Sequence, residues 1–142
     1  MTARVSNHKR FGVDAWIARW YTNMTSKDMD RHDSMARRVT ESVADGSSIL
    51  EVAPGPGYVA INLAKTGRFE VKGLDINPTF VEIARQKAAE SGVHVDFLEG
   101  NVTAMPFGDE EFDYIVCCAA FKNFTEPVRA LQEMYRVLRP GG

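Results

Sequence analysis

With 142 residues, 44% of them hydrophobic and 25% charged, and a formal net charge of −2, the chain suits one globular domain with a real core. Neither composition nor charge asks for a nucleic acid or a membrane as partner. The opening stretch MTARVSNHKRFGVD carries basic residues with no apolar segment behind them. It reads as neither signal peptide nor membrane anchor, so a cytoplasmic location is expected.

In chain order, Arg4, His8, Lys9 and Arg10 read as a solvated tail, and residues 12–24 and 27–44 as two helices. Trp16, Trp20 and Tyr21 lie at helical spacing in the first and are expected in the core, with a cover over a ligand cleft as the alternative. The second carries Met29, His32, Ala36, Val39 and Val43 at helical spacing before DGSS breaks it. SILEVA (48–53) is the first expected strand, and YVAINLAKTG is a helix ending at Gly67. FEVKGLD gives a second strand with Asp75 at its carboxyl end. The next helix has Asn77 as cap, Pro78 in its first turn and Gly92 past its end. VHVDFLEG and FDYIVCCA are the third and fourth strands, and the final helix places Val128, Leu131, Tyr135 and Leu138 on one side. Cys117 and Cys118 are expected as reduced core residues. His32 and His94 lack metal-ligand spacing, so no metal site is expected. The N-x-T sequons at Asn23 and Asn101 read as chance.

Strands alternating with helices imply an α/β fold, a Rossmann-like parallel sheet with helices on both faces. Residues 1–45 form a helical extension that could serve as a lid, and residues 46–142 the ligand-binding domain. In such sheets ligands bind at the carboxyl ends of the strands. The glycine turn EVAPGPGYVA, Asp75, GNV at 100–102 and CAAF at 118–121 all fall on that edge.

Gly55, Gly57 and Ala60 match the dinucleotide pattern G-x-G-x-x-A, and Asp75 stands 20 positions beyond Gly55. Two neighbours argue against a pyrophosphate. Pro56 has no N–H to offer, and Glu51 at the strand end would repel a dianion and attract a cation. S-adenosylmethionine suits that field, since it joins an adenosine to an ammonium and a sulfonium without phosphate.

From Ser48 to Gly142 the sequence resembles the class I S-adenosylmethionine-dependent methyltransferases, especially those acting on small molecules. ILEVAPGPGYVAINLA is similar to their first motif, and VKGLDINPTFVEIARQKA to the second. FLEGNVTAMPFGDEEFDYIVC is similar to their adenine-contact loop and fourth strand, and ALQEMYRVLRPGG to the helix and turn that follow. The resemblance implies that Glu51, Ala53, Gly55 and Gly57 hold the methionine end, Asp75 the ribose and Ile76 the adenine face. Asn101 and Val102 would meet the adenine edge, with the Asn101 amide oxygen accepting from the amino group. Ala53 and Asn101 stand where the family commonly has glycine and aspartate. The product would be S-adenosylhomocysteine and the acceptor a small molecule, with Phe121, Lys122 and Asn123 as acceptor-side candidates and no catalytic residue assigned. A nicotinamide-dependent oxidoreductase domain and a non-catalytic module binding the same cofactor stay open as alternatives. The family continues beyond RPGG with further strands, so the fourth strand is expected to expose one edge and to favour self-association.

Overall fold

A computed structural model describes residues 16, 17, 19, 20, 22, 23, 28–118 and 120–142. Helix α1 (Met29–Ser42) precedes strand β1 (Ser48–Val52), helix α2 (Tyr58–Lys65), strand β2 (Glu70–Asp75) and helix α3 (Pro78–Glu90). Strands β3 (Asp96–Glu99) and β4 (Tyr114–Cys117), a 3-10 turn at Phe121–Asn123 and helix α4 (Pro127–Val137) complete it. The four strands form one parallel sheet in the order β3-β2-β1-β4. The direction of winding reverses between β1 and β4, and it is beside such a reversal that open α/β sheets place their ligands.

Strand β1 is central and buried on both faces because its residues alternate between two apolar layers. Ile49 joins Val71, Phe97 and Val116 under Val59, Leu63 and Val81. Leu50 and Val52 join Leu74 on the opposite face, with Met105, Phe112 and Val137. The one polar residue in the strand after its first position, Glu51, pairs in register with Gly73 and Val116 and is only 3% exposed.

Local signals work as the sequence predicts around α3. The Asn77 side chain accepts from the Thr79 and Phe80 N–H groups, Pro78 fills the first turn, and Gly92 follows with φ 68°. Helix α1 lies on α2 through Ala36 and Val39, with an Asn62 Nδ2–Asp33 Oδ1 bond of 2.7 Å between them. Arg68 pins its carboxyl end, donating to the Thr40 and Val43 carbonyls and to Asp45.

One expectation changes and two gain detail. Val128, Leu131 and Tyr135 share the exposed side of α4, at 68, 52 and 84%, and the helix buries Ala130 and Val137. Its orientation is set by Arg136 and Glu133, which reach the loop before β4: Arg136 donates to the Met105 and Phe107 carbonyls and to Asp109, and Glu133 accepts from the Met105 N–H. Trp16 and Trp20 are also exposed, at 68 and 54%, so neither is a core residue; Tyr21 and the basic tail lie outside the described residues. Finally, the chain after α4 closes on the segment just before β4. Leu138 bridges Phe112 in parallel, and the Arg139 N–H donates to the Phe112 carbonyl at 2.7 Å.

The turn from β1 into α2 has positive φ at Ala53 (54°), Gly55 (54°) and Gly57 (84°). A Cβ on Gly57 would stand 2.7 Å from the Phe97 ring and 3.0 Å from Ala84 Cβ, so this glycine lets α2 close onto β3 and α3. Ala53 occupies the left-handed region with a methyl group, at a cost of about 1–2 kcal/mol. Substitutions at these two positions should therefore have opposite signs. Gly57→Ala is expected to destabilise by about 2 kcal/mol or more from strain and overlap. Ala53→Gly should stabilise by about 0.5–1 kcal/mol after the greater freedom of glycine in the unfolded chain is subtracted. Urea denaturation of the two variants against the parent checks both signs.

Candidate ligand-binding site

The turn has few backbone donors left for a ligand. The Ala53 N–H donates to the Leu74 carbonyl at 2.8 Å and the Gly57 N–H to the Pro54 carbonyl at 3.0 Å. The Gly55 N–H donates to Asp75 Oδ2 at 3.0 Å, and Pro56 has none. A phosphate cradle needs converging free N–H groups, and here those of the turn are engaged internally.

Asp75 thereby acts as a structural brace. Its other oxygen accepts from the Asn77 N–H at 2.9 Å, so the one carboxylate holds the glycine turn and the entry to α3 together. Burial raises its pKa, and the two N–H donors oppose the rise. Glu51 is more extreme. Its Oε2 accepts the Ala60 N–H at 2.9 Å, and no ion pair neutralises it among the described residues. Burial, with the charge of Asp75 adding to it and the Ala60 bond opposing, pushes the Glu51 pKa up to about 8.

Two neighbouring cavities open at this edge and share Ala53 and Asn123 as walls. The first, about 140 Å³, holds Glu51, Ala53 and Gly55 with Tyr58 and Cys118, and receives Asp28, Arg31 and His32 from the region of α1. The second, about 260 Å³, is walled by Ala53, Leu74, Asp75, Ile76, Asn101, Val102 and Phe124. Of the residues singled out from sequence, seven thus line the pair of cavities, and Gly57 lies beneath them as a packing residue. Ile76 is 67% exposed, an apolar side chain standing open on the wall. The Asn101 amide oxygen already accepts from Thr103 N and Oγ, at 2.9 and 2.8 Å. Its amide N–H group is thus the part left for a ligand. Cys118 lines the first cavity instead of belonging to the core, and Cys117 packs at the margin of the second apolar layer. Of the acceptor-side candidates, Asn123 lines both cavities, while Phe121 and Lys122 line neither.

Asp28, Arg31 and His32 were missed as site residues because they lie before the first strand, and only the packing of α1 brings them over its end. The helical residues among 16–23 do not supply this wall; Arg19, Thr22 and Asn23 face α3 across a separate depression. Among the described residues no group of three or more His, Cys, Asp or Glu is placed to hold a metal ion.

The raised pKa of Glu51 has a stability consequence. Between its ordinary value of 4.5 and about 8, the folded chain holds a proton that the unfolded chain has released. The ligand-free fold should therefore lose stability through Glu51 as pH rises across that window, by up to about 1.4 kcal/mol per pH unit. Glu51→Gln, which keeps the neutral shape, is expected to remove this slope. Parallel urea titrations at pH 5, 6.5 and 8 measure the difference, and identical slopes for parent and variant would count against a buried neutral acid.

Comparison with known proteins agrees with this geometry. Residues 49–142 match the family described as methyltransferase domain. A demethylmenaquinone methyltransferase of Thermus thermophilus is 43% identical over 95 residues, which are 66% of this chain and 43% of that protein. The enzyme of the same name from Deinococcus radiodurans is 39% identical over 95 residues, 66% of this chain and 39% of its own length. The chain thus spans about two fifths of these curated relatives. A crystal structure from Methanococcus maripaludis, described as that of an S-adenosyl-L-methionine-dependent methyltransferase, superposes with a TM-score of 0.82 at 23% identity. It covers 88% of this chain and 59% of the other, and at that identity the likeness speaks for the fold. With an engaged glycine turn, a buried acid at its base and a family match across the whole sheet, the chain belongs to the methyltransferase-domain family of class I, S-adenosylmethionine-dependent proteins.

Proposed function

We propose that this chain is the cofactor-binding portion of an S-adenosylmethionine-dependent methyltransferase that serves a small-molecule acceptor of quinone type in its reduced, hydroxyl-bearing form. The observation that carries the cofactor assignment is Glu51, a buried carboxyl that no cation among the described residues neutralises, beside a turn whose N–H groups are engaged. This arrangement favours a cationic nucleoside over a dinucleotide, and it counts against the nicotinamide alternative. The acceptor class draws on the demethylmenaquinone methyltransferases among the relatives.

In this reading Glu51 meets the ammonium of the methionine end, and Arg31 on the rim of the same cavity meets its carboxylate. Ala53 and Gly55 bring the turn's backbone alongside. Asp75 accepts from the ribose hydroxyls, Ile76 and Val102 lie against the adenine faces, and the Asn101 amide N–H group reaches its edge. When bound, the cofactor supplies a methyl group on a positively charged sulfur, already activated for displacement. The protein's own work is to align the acceptor and to keep water away. Residues 1–45 contribute through α1, which closes the methionine end. We place this chemistry in the cytoplasm, in keeping with the free thiols of Cys117 and Cys118. No helix among the described residues is long and apolar enough to cross a membrane.

Calorimetric titration is the test. S-adenosylhomocysteine should bind, and NAD should bind more weakly or not at all; tighter binding of NAD would sink the cofactor assignment. Asp75→Asn is expected to cost about 1–3 kcal/mol of affinity with the fold intact by circular dichroism. Because a cation selects ionised Glu51, affinity for S-adenosylmethionine should rise from pH 6 toward 8, and Glu51→Gln should flatten the rise.

A further inference from the structure

His32 lines the cavity that holds Glu51, yet neither of its ring nitrogens has a hydrogen-bond partner, and both are shut off from solvent. Each unsatisfied buried polar group costs about 1–3 kcal/mol. The ring itself is well placed: it stacks on Tyr58, the first residue of α2, with centroids 5.1 Å apart and planes inclined by 30°. A phenylalanine could make that stacking contact without leaving two nitrogens unpaired. The contact with Tyr58 therefore explains the ring and leaves its nitrogens unexplained.

We propose that His32 is the hydrogen-bonding partner of the methyl acceptor, and that the group it receives is a hydroxyl on a flat aromatic ring. The proposal rests on the cofactor reading above, in which Glu51 and Arg31 occupy this cavity with the methionine end. A neutral imidazole offers one donor and one acceptor, and a hydroxyl is complementary because it also both donates and accepts. Binding of the hydroxyl would require a turn of the ring about its Cβ–Cγ bond to present a nitrogen to the cavity. The walls favour a flat partner: His32 and Tyr58 supply ring surface, and Pro54, Pro56 and Val59 supply apolar surface. His32 is then a specificity residue for the acceptor.

The test uses the full chain with its histidines labelled with nitrogen-15; His8, His32 and His94 are the three imidazoles. S-adenosylhomocysteine is added to saturation and 1-naphthol, a planar aromatic alcohol, is then titrated. The ring-nitrogen resonances of His32 should shift with naphthol, while those of His94, an exposed residue paired with Asp96, stay in place. His32→Phe should weaken naphthol at least about tenfold more than it weakens S-adenosylhomocysteine, and His32→Gln should recover part of that loss. His32 resonances that do not move, or naphthol binding equally well to His32→Phe, would overturn the assignment, as would absence of naphthol binding to the loaded parent. Failure of the parent to bind S-adenosylhomocysteine strikes the cofactor reading itself, and the calorimetry separates that result from the others.

Discussion

A carboxyl group buried in a central β-strand, with no counter-charge paired to it among the described residues, is the constraint around which this molecule is arranged. Glu51 sits among apolar neighbours with one N–H donor, a placement that costs free energy in the isolated chain. Everything nearby is consistent with leaving that cost in place until a cation arrives. The N–H groups of Ala53, Gly55 and Gly57 in the turn above it are engaged internally, and Asp75 adds a second carboxyl from β2. Arg31, the one arginine or lysine among the described residues lining the cavity, stands at its exposed rim. A site of this kind selects by charge before it selects by shape.

Much of the frame is legible from residues alone because it rests on local chemistry. Asn77, Pro78 and Gly92 delimit α3 through capping and backbone freedom that need no distant partner. The two-sided burial of Leu50 and Ile49 follows from apolar residues at successive positions, as expected for a parallel strand. Periodicity told less about α4. It shows that Val128, Leu131 and Tyr135 share a side, but the direction in which that side points is decided by Arg136 and Glu133 gripping residues 105–109. Nor could spacing reveal the part played by α1. Asp28, Arg31 and His32 become neighbours of Glu51 only because Ala36 and Val39 dock on α2, a tertiary event with no signature near those residues.

In the candidate site Asp75 is a brace that also lines a cavity. Asp75 resembles a ribose-binding acid by position, and its carboxylate simultaneously ties the glycine turn to the start of α3. Structural and binding roles are therefore not alternatives at this position. The turn keeps its shape through the same side chain that faces the second cavity, so filling that cavity and stiffening the turn are coupled. Gly57 is the complementary case. Its motif position suggests ligand contact, and its actual neighbours are the Phe97 ring and Ala84.

Arg68 touches neither cavity, yet it holds the helix that walls one of them. It fastens the carboxyl end of α1 at Thr40 and Val43, whereas Asp28, Arg31 and His32 are carried near the opposite end, roughly 15–20 Å along the helix axis at 1.5 Å per residue. The helix is also held along its length, by Ala36 and Val39 docked on α2, by the Asp33–Asn62 bond and by the His32–Tyr58 stack. The wall that α1 lends the Glu51 cavity is therefore fastened at both ends, and residues that never meet a ligand share in holding it.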